Sequence, residues 1–138
     1  MDMRTRIEQA NTDTYAAWNA HDADAVAAVF ARDAEIIDIA SGTVTRGREA
    51  IRDTARARFT GFPDFSLEKV FLVIDERANA DRWIMRGTHT GEFMGLAPTG
   101  RAVEVQGATF SEFDADGLVV RDTHYIDLPS LLSQLGLG

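Results

Sequence analysis

The feature that most narrows the fold is a change of pattern at Pro63. Before it, most of the chain has helical spacing. After it come runs rich in Phe, Leu, Val and Ile, separated by short polar turns. Three helix-like segments followed by a meander of strands predict an α+β architecture, because each amphipathic helix must bury its apolar stripe on one face of the sheet.

The segments in order support this. Residues 3–19 read as a helix, with Ile7, Thr14, Ala17 and Trp18 recurring at helical spacing. Asn19-Ala20-His21-Asp22 interrupts it, and Asp22 is placed to cap a second helix carrying Val26, Val29 and Phe30. Residues 34–39 read as a strand, Ser41-Gly42 as a turn and Thr43–Arg46 as a short return strand. Gly47 opens a third helix with Ile51, Ala55 and Phe59 along one face, which Gly61-Phe62-Pro63 stops. Strands then span 65–74, 82–89, 102–113 and 118–127, with a polar turn over 75–81 and Asp114–Gly117 as the final hairpin turn. Residues 129–135 form a short terminal helix or turn. The order is α-α-β-β-α-β-β-β-β. It implies a strongly curved, mostly antiparallel sheet with three helices on its concave face, enclosing a cone whose open end is a ligand pocket. The whole chain, residues 1–138, reads as one domain.

Composition removes several function classes. The net charge is −8 and the basic residues are scattered, which argues against a nucleic-acid partner. There is no apolar run of membrane-spanning length and no signal-like start, so the expected location is the cytoplasm, away from membranes. With no cysteine, thiol chemistry and disulfides are excluded, and the three histidines lack a ligand spacing, so no metal is expected.

Arg86–Arg101 joins two strands through four glycines and contains His89. With Tyr15–Asp22, Gly47–Ile51, Phe62–Asp64, Pro98–Arg101 and Asp127 to Gly136, it resembles the SnoaL-like polyketide cyclases, or predicted ester cyclases, of the nuclear transport factor 2-like superfamily. The resemblance runs over nearly the whole chain. It implies a cone-shaped α+β domain, usually a homodimer through the outer sheet face, closing a ring by intramolecular aldol condensation without metal or cofactor. It also implies an acidic acid/base residue on the last strand, at Asp127. The family's aromatic residue four positions earlier is replaced here by Thr123, which changes the pocket's shape.

The candidate catalytic residues are Asp127, His89 and Asp38. Asp127 shares its strand face with Thr123 and Tyr125. It is either a desolvated base or the cap of the terminal helix. Asp38 either enters the cavity as a second carboxylate or is solvated on the sheet. His89 either donates to a developing oxyanion at the pocket mouth or ties the glycine turn to the backbone. His124 falls on the face opposite Asp127 and is the weaker candidate. Tyr15, Trp18, Phe59, Trp83, Met85, Phe93, Met94 and Tyr125 are the expected substrate-binding walls. Neither Arg82 nor Arg86 is followed two residues later by Asp, which disfavours an epoxide-hydrolase site of the limonene type. The function these readings converge on is cofactor-free acid/base catalysis on a hydrophobic carbonyl compound. The alternative is a non-catalytic small-ligand binder or dimerisation module of the same fold.

Overall fold

A computed structural model describes residues 1–137. Its helices and strands are α1 (Met3–Asn19), α2 (Ala23–Ala28), β1 (Phe30–Asp38), β2 (Thr43–Arg46), α3 (Arg48–Gly61), β3 (Ser66–Asp75), β4 (Ala78–Thr88), β5 (Ala102–Phe113), β6 (Val119–Ile126) and α4 (Leu128–Gln134). The six strands form one curled, unclosed sheet in the order β2-β1-β6-β5-β4-β3, with helices on one side. Pairing is antiparallel except for β1 against β6, which run parallel. The α+β architecture and its element order therefore follow the change of pattern at Pro63.

Local chemistry fixes the ends of the helices. Asp2, Asp22 and Asp127 each accept a backbone N–H in the first turn of α1, α2 and α4 respectively, satisfying a donor that the helix leaves free. Gly47 takes a φ of 89° before α3, in the left-handed region that glycine enters without a Cβ clash.

Two boundaries differ from the sequence expectation. Phe30 begins a strand instead of extending α2. Its backbone joins the parallel ladder beside Val119, and its ring enters the core with Ile7, Ile36, Ile51 and Phe113. The expected polar turn over 75–81 contracts to Glu76-Arg77, because residues 78–81 are the start of β4. Their alternating polar side chains, Asn79 and Asp81, are buried. A segment whose inward face is polar reads as a turn when only its apolar pattern is followed.

A second core joins Phe62, Phe65, Met85, Val103, Val105, Leu131 and Leu135, and brings α4 against the sheet. Burying such side chains stabilises the fold by roughly 1.5–3 kcal/mol each relative to exposure.

Candidate functional site

Between helices and sheet lies a cavity of about 150 Å³. Its floor follows from strand register. One row of paired residues crosses four strands as Asp38 (β1), His124 (β6), Thr109 (β5) and Asp81 (β4). The next row runs Ile36, Asp122, Ser111 and Asn79. All eight line the cavity. Because side chains two residues apart share a face, each strand places two of them on the floor. A third row brings Ile126, Gly107 and Trp83 side by side. A Cβ on Gly107 would lie 2.3 Å from the Trp83 ring, so glycine is what lets the indole lie across β5. The indole Nε1 then donates to Thr109 Oγ1 at 2.9 Å, which fixes both groups.

The floor is polar and short of partners. Asp81 Oδ2 accepts from Asn11 Nδ2 and from the Tyr15 hydroxyl, both at 2.9 Å, while Oδ1 is buried without a partner. Asp122 Oδ1 and both side-chain polar atoms of Asn79 are also buried and unpartnered. An unpaired buried polar group costs about 1–3 kcal/mol, and four such atoms lie around this cavity. Burial pushes the Asp81 carboxyl above its ordinary value, and the nearby Asp122 charge adds to the effect against the opposing hydrogen bonds from Asn11 and Tyr15. Desolvation, then the charge and hydrogen bond of Asp81, push the Tyr15 hydroxyl up as well, so it stays a donor.

His124 Nε2 lies 3.6 Å from Asp122 Oδ2. That is ion-pair range and too long for a hydrogen bond. Asp38 stands beside His124 across the parallel ladder and accepts the Ser41 backbone N–H at 3.2 Å. Arg58 enters from α3, with its guanidinium carbon 5.5 Å from the centre of the Trp18 ring. Among the described residues no group of three or more His, Cys, Asp or Glu side chains could hold a metal ion.

The sequence candidates divide clearly. Asp38, Tyr15, Trp18, Trp83, Met85, Phe93 and Met94 all line the cavity, Met94 as an exposed rim residue. Asp127 does not. It is exposed, and its Oδ1 accepts the Ser130 N–H as the cap of α4, so of its two readings the structure shows the cap. His89 is wholly buried behind Phe62 and is absent from the cavity wall. Its Nδ1 accepts the Thr99 N–H at 3.3 Å, and its backbone is bonded to Arg101 and Gly100, so it ties the glycine-rich connection to β4. Phe59 packs on Trp18, His21 and Phe65 outside the cavity. Tyr125 faces the other side of the sheet and meets Phe110 edge-on at 5.8 Å. The inward positions expected for the face of Asp127 belong instead to His124 and Asp122. Asn79, Asp81 and Asp122 were missed; the signal for them was an acidic or amide residue at alternate positions inside β4 and β6.

Comparison with known proteins places this site in context. The SnoaL-like polyketide cyclase family model matches residues 8–135. Cyclase aurE of Calcarisporium arbuscula is 30% identical over 121 residues, covering 87% of this chain and 86% of that protein. Among solved structures, IdmH of Streptomyces antibioticus, described as a candidate polyketide cyclase, superposes with a TM-score of 0.80 at 30% identity, covering 94% of this chain and 98% of that one. AclR of Streptomyces galilaeus, described as a candidate hydroxylase, gives a TM-score of 0.84 at 27% identity, covering 99% and 88%. No described helix is long and apolar enough to cross a membrane.

Proposed function

The chain belongs to the SnoaL-like polyketide cyclase family, and from that premise we propose that it performs cofactor-free acid/base chemistry on a hydrophobic carbonyl compound, closing a ring by intramolecular aldol addition. The observation that carries this reading is the row Asp38–His124–Thr109–Asp81 on the cavity floor, flanked by Asp122.

In this mechanism His124 takes the proton α to a carbonyl, and the Asp122 carboxylate steadies the imidazolium that forms. Asp81, whose burial favours its neutral form, donates its proton in a hydrogen bond to the enolate oxygen, with Asn11 and Tyr15 holding the other carboxyl oxygen. Ketosteroid isomerase keeps a carboxylic acid neutral so that it can donate in this way, and gives the physical precedent. The enolate carbon then adds to a second carbonyl of the same molecule, forming the carbon–carbon bond. The resulting alkoxide takes the proton back from His124, so the enzyme ends as it began. Asp38 lies beside His124 across the parallel ladder and adds negative charge near the imidazolium that forms. Trp18, Trp83, Met85, Phe62 and Phe93 supply apolar walls that fold the substrate so that its two carbonyl regions meet.

The reading is tested with 2-acetylnaphthalene in D2O, following deuterium entry at the methyl carbon by NMR. Exchange above the buffer rate in the wild type, lost in His124→Asn, supports it. Exchange at the buffer rate in wild type would favour a non-catalytic ligand binder. We also propose that two copies pair through the outer sheet face, where Phe71, Val73, Phe110 and Tyr125 are each about half exposed. Sedimentation at micromolar concentration should give a dimer.

A further inference from the structure

Arg58 has no assigned part in the acid/base cycle. It is half-buried, lines the cavity from the helical wall, and lies over the Trp18 ring. Among the described residues no carboxylate comes within 4.0 Å of it, and its guanidinium makes no hydrogen bond. The chain's other partly buried cations differ. Arg48 donates to the Phe30 carbonyl, Arg52 pairs with Asp24, and Arg86 pairs with Glu68 and Glu104. Packing on the Trp18 ring leaves the Arg58 N–H donors without a protein acceptor, and a guanidinium edge carries the paired donors that match a carboxylate.

We propose that Arg58 is a specificity residue that receives a carboxylate on the substrate, so that the cavity takes an aromatic or alicyclic carbonyl compound bearing an acid group. The inference rests on the cavity being the substrate site. The apolar ring system would lie between Trp18 and Trp83, with its carboxylate on the Arg58 edge and its reacting carbonyl over His124 and Asp81. The position of the cation also suits this division of labour. Arg58 comes from a helix whereas Asp81, Asp122 and His124 come from the sheet, so one end of a substrate can be held by charge while the other reacts. Asp38, the acid nearest in influence to Arg58, stays outside ion-pair distance and is engaged by the Ser41 backbone.

The test compares 2-naphthoate with methyl 2-naphthoate, which share a ring system and differ in charge. Affinities are measured by calorimetry, and the backbone amide shifts of Thr109, Ser111 and His124 show whether each ligand enters the cavity. The expected result is that wild type prefers the acid. Arg58→Gln weakens the acid by at least about tenfold while moving the ester by less than about twofold. Arg58→Lys, which keeps the charge and loses the fork, should fall between them and guards against a folding defect in the glutamine variant. Equal losses for acid and ester, or an unchanged acid affinity in Arg58→Gln, would overturn the proposal and leave the acid/base reading standing. If neither ligand perturbs the cavity in the wild type, the cavity reading itself fails and the proposal falls with it.

Discussion

The glycine-rich connection from Arg86 to Arg101 and the last strand, β6, each carry a histidine, and the two are used in opposite ways. In the connection, His89 is fully buried, its Nδ1 occupied by Thr99 and its main chain bonded to Gly100 and Arg101. In β6, His124 faces the cavity between Asp122 and Asp38. The first holds a loop and the second lines the cavity. Residue type and glycine context favoured His89, but what decides availability is whether a ring nitrogen opens onto the cavity. Nearby groups tighten the same loop. The Asp64 carboxylate accepts both the N–H and the hydroxyl of Thr88, and a Cβ on Gly91 would strike the Thr60 carbonyl. The connection gives Phe93 and Met94 to the cavity wall, whereas the floor's titratable side chains come from the strands.

Four perturbations sharpen this contrast. The largest effect is expected at His124. Removing its proton transfer in His124→Asn should lower turnover by about 10²–10⁴-fold while leaving the thermal midpoint nearly unchanged, as rate and melting measurements would check. Next is Asp81→Asn, which keeps the hydrogen bonds from Asn11 and Tyr15 largely possible but removes the acidic proton. A loss of about 10²-fold in turnover is expected. The same variant has a pH signature. The folded-state pKa of Asp81 lies above its unfolded value, so its native form binds the proton more firmly. Its contribution to stability is full at acid pH and declines as pH rises from the ordinary value of 3.8 through the raised one. Denaturant titrations should therefore show Asp81→Asn gaining on the wild type as pH rises through that window.

At His89 the expected effect is on stability. His89→Ala removes the acceptor for Thr99 and leaves a void behind Phe62, costing about 2–3 kcal/mol in a denaturant titration, with turnover of the folded fraction little changed. The smallest effect belongs to Asp127→Ala, which loses the cap of α4 and about 1 kcal/mol.

The sequence carried most of the fold and about half of the site, for reasons visible in particular residues. Helix α1 has the expected bounds, because amphipathic spacing and turn chemistry speak clearly there. Tyr15, Trp18, Trp83 and Phe93 were readable as cavity walls from their size and placement. Strand β6 was not readable in the same way. Its outward side chains include Tyr125, which packs on Phe110, whereas its inward ones include Asp122 and His124. Outward the strand also presents Arg121 and Thr123, and inward Ile126 joins the two polar residues. Polar residues stand on both faces, so the rule that puts apolar residues inside does not select the inner one. Asn79 and Asp81 disappeared into a supposed turn for the same reason. The pairing between strands, and hence the row that joins Asp38, His124, Thr109 and Asp81, depends on contacts between distant segments that no local pattern records.

The most direct test of where the chemistry sits is a side-by-side measurement of deuterium entry into 2-acetylnaphthalene by the wild type, His124→Asn and Asp127→Asn. Asparagine at 127 still caps a helix, so that variant isolates acid/base chemistry from folding. Exchange should fall at least about 100-fold in His124→Asn and stay within about twofold of wild type in Asp127→Asn. Loss of exchange in Asp127→Asn with His124→Asn fully active would contradict a base on the cavity floor.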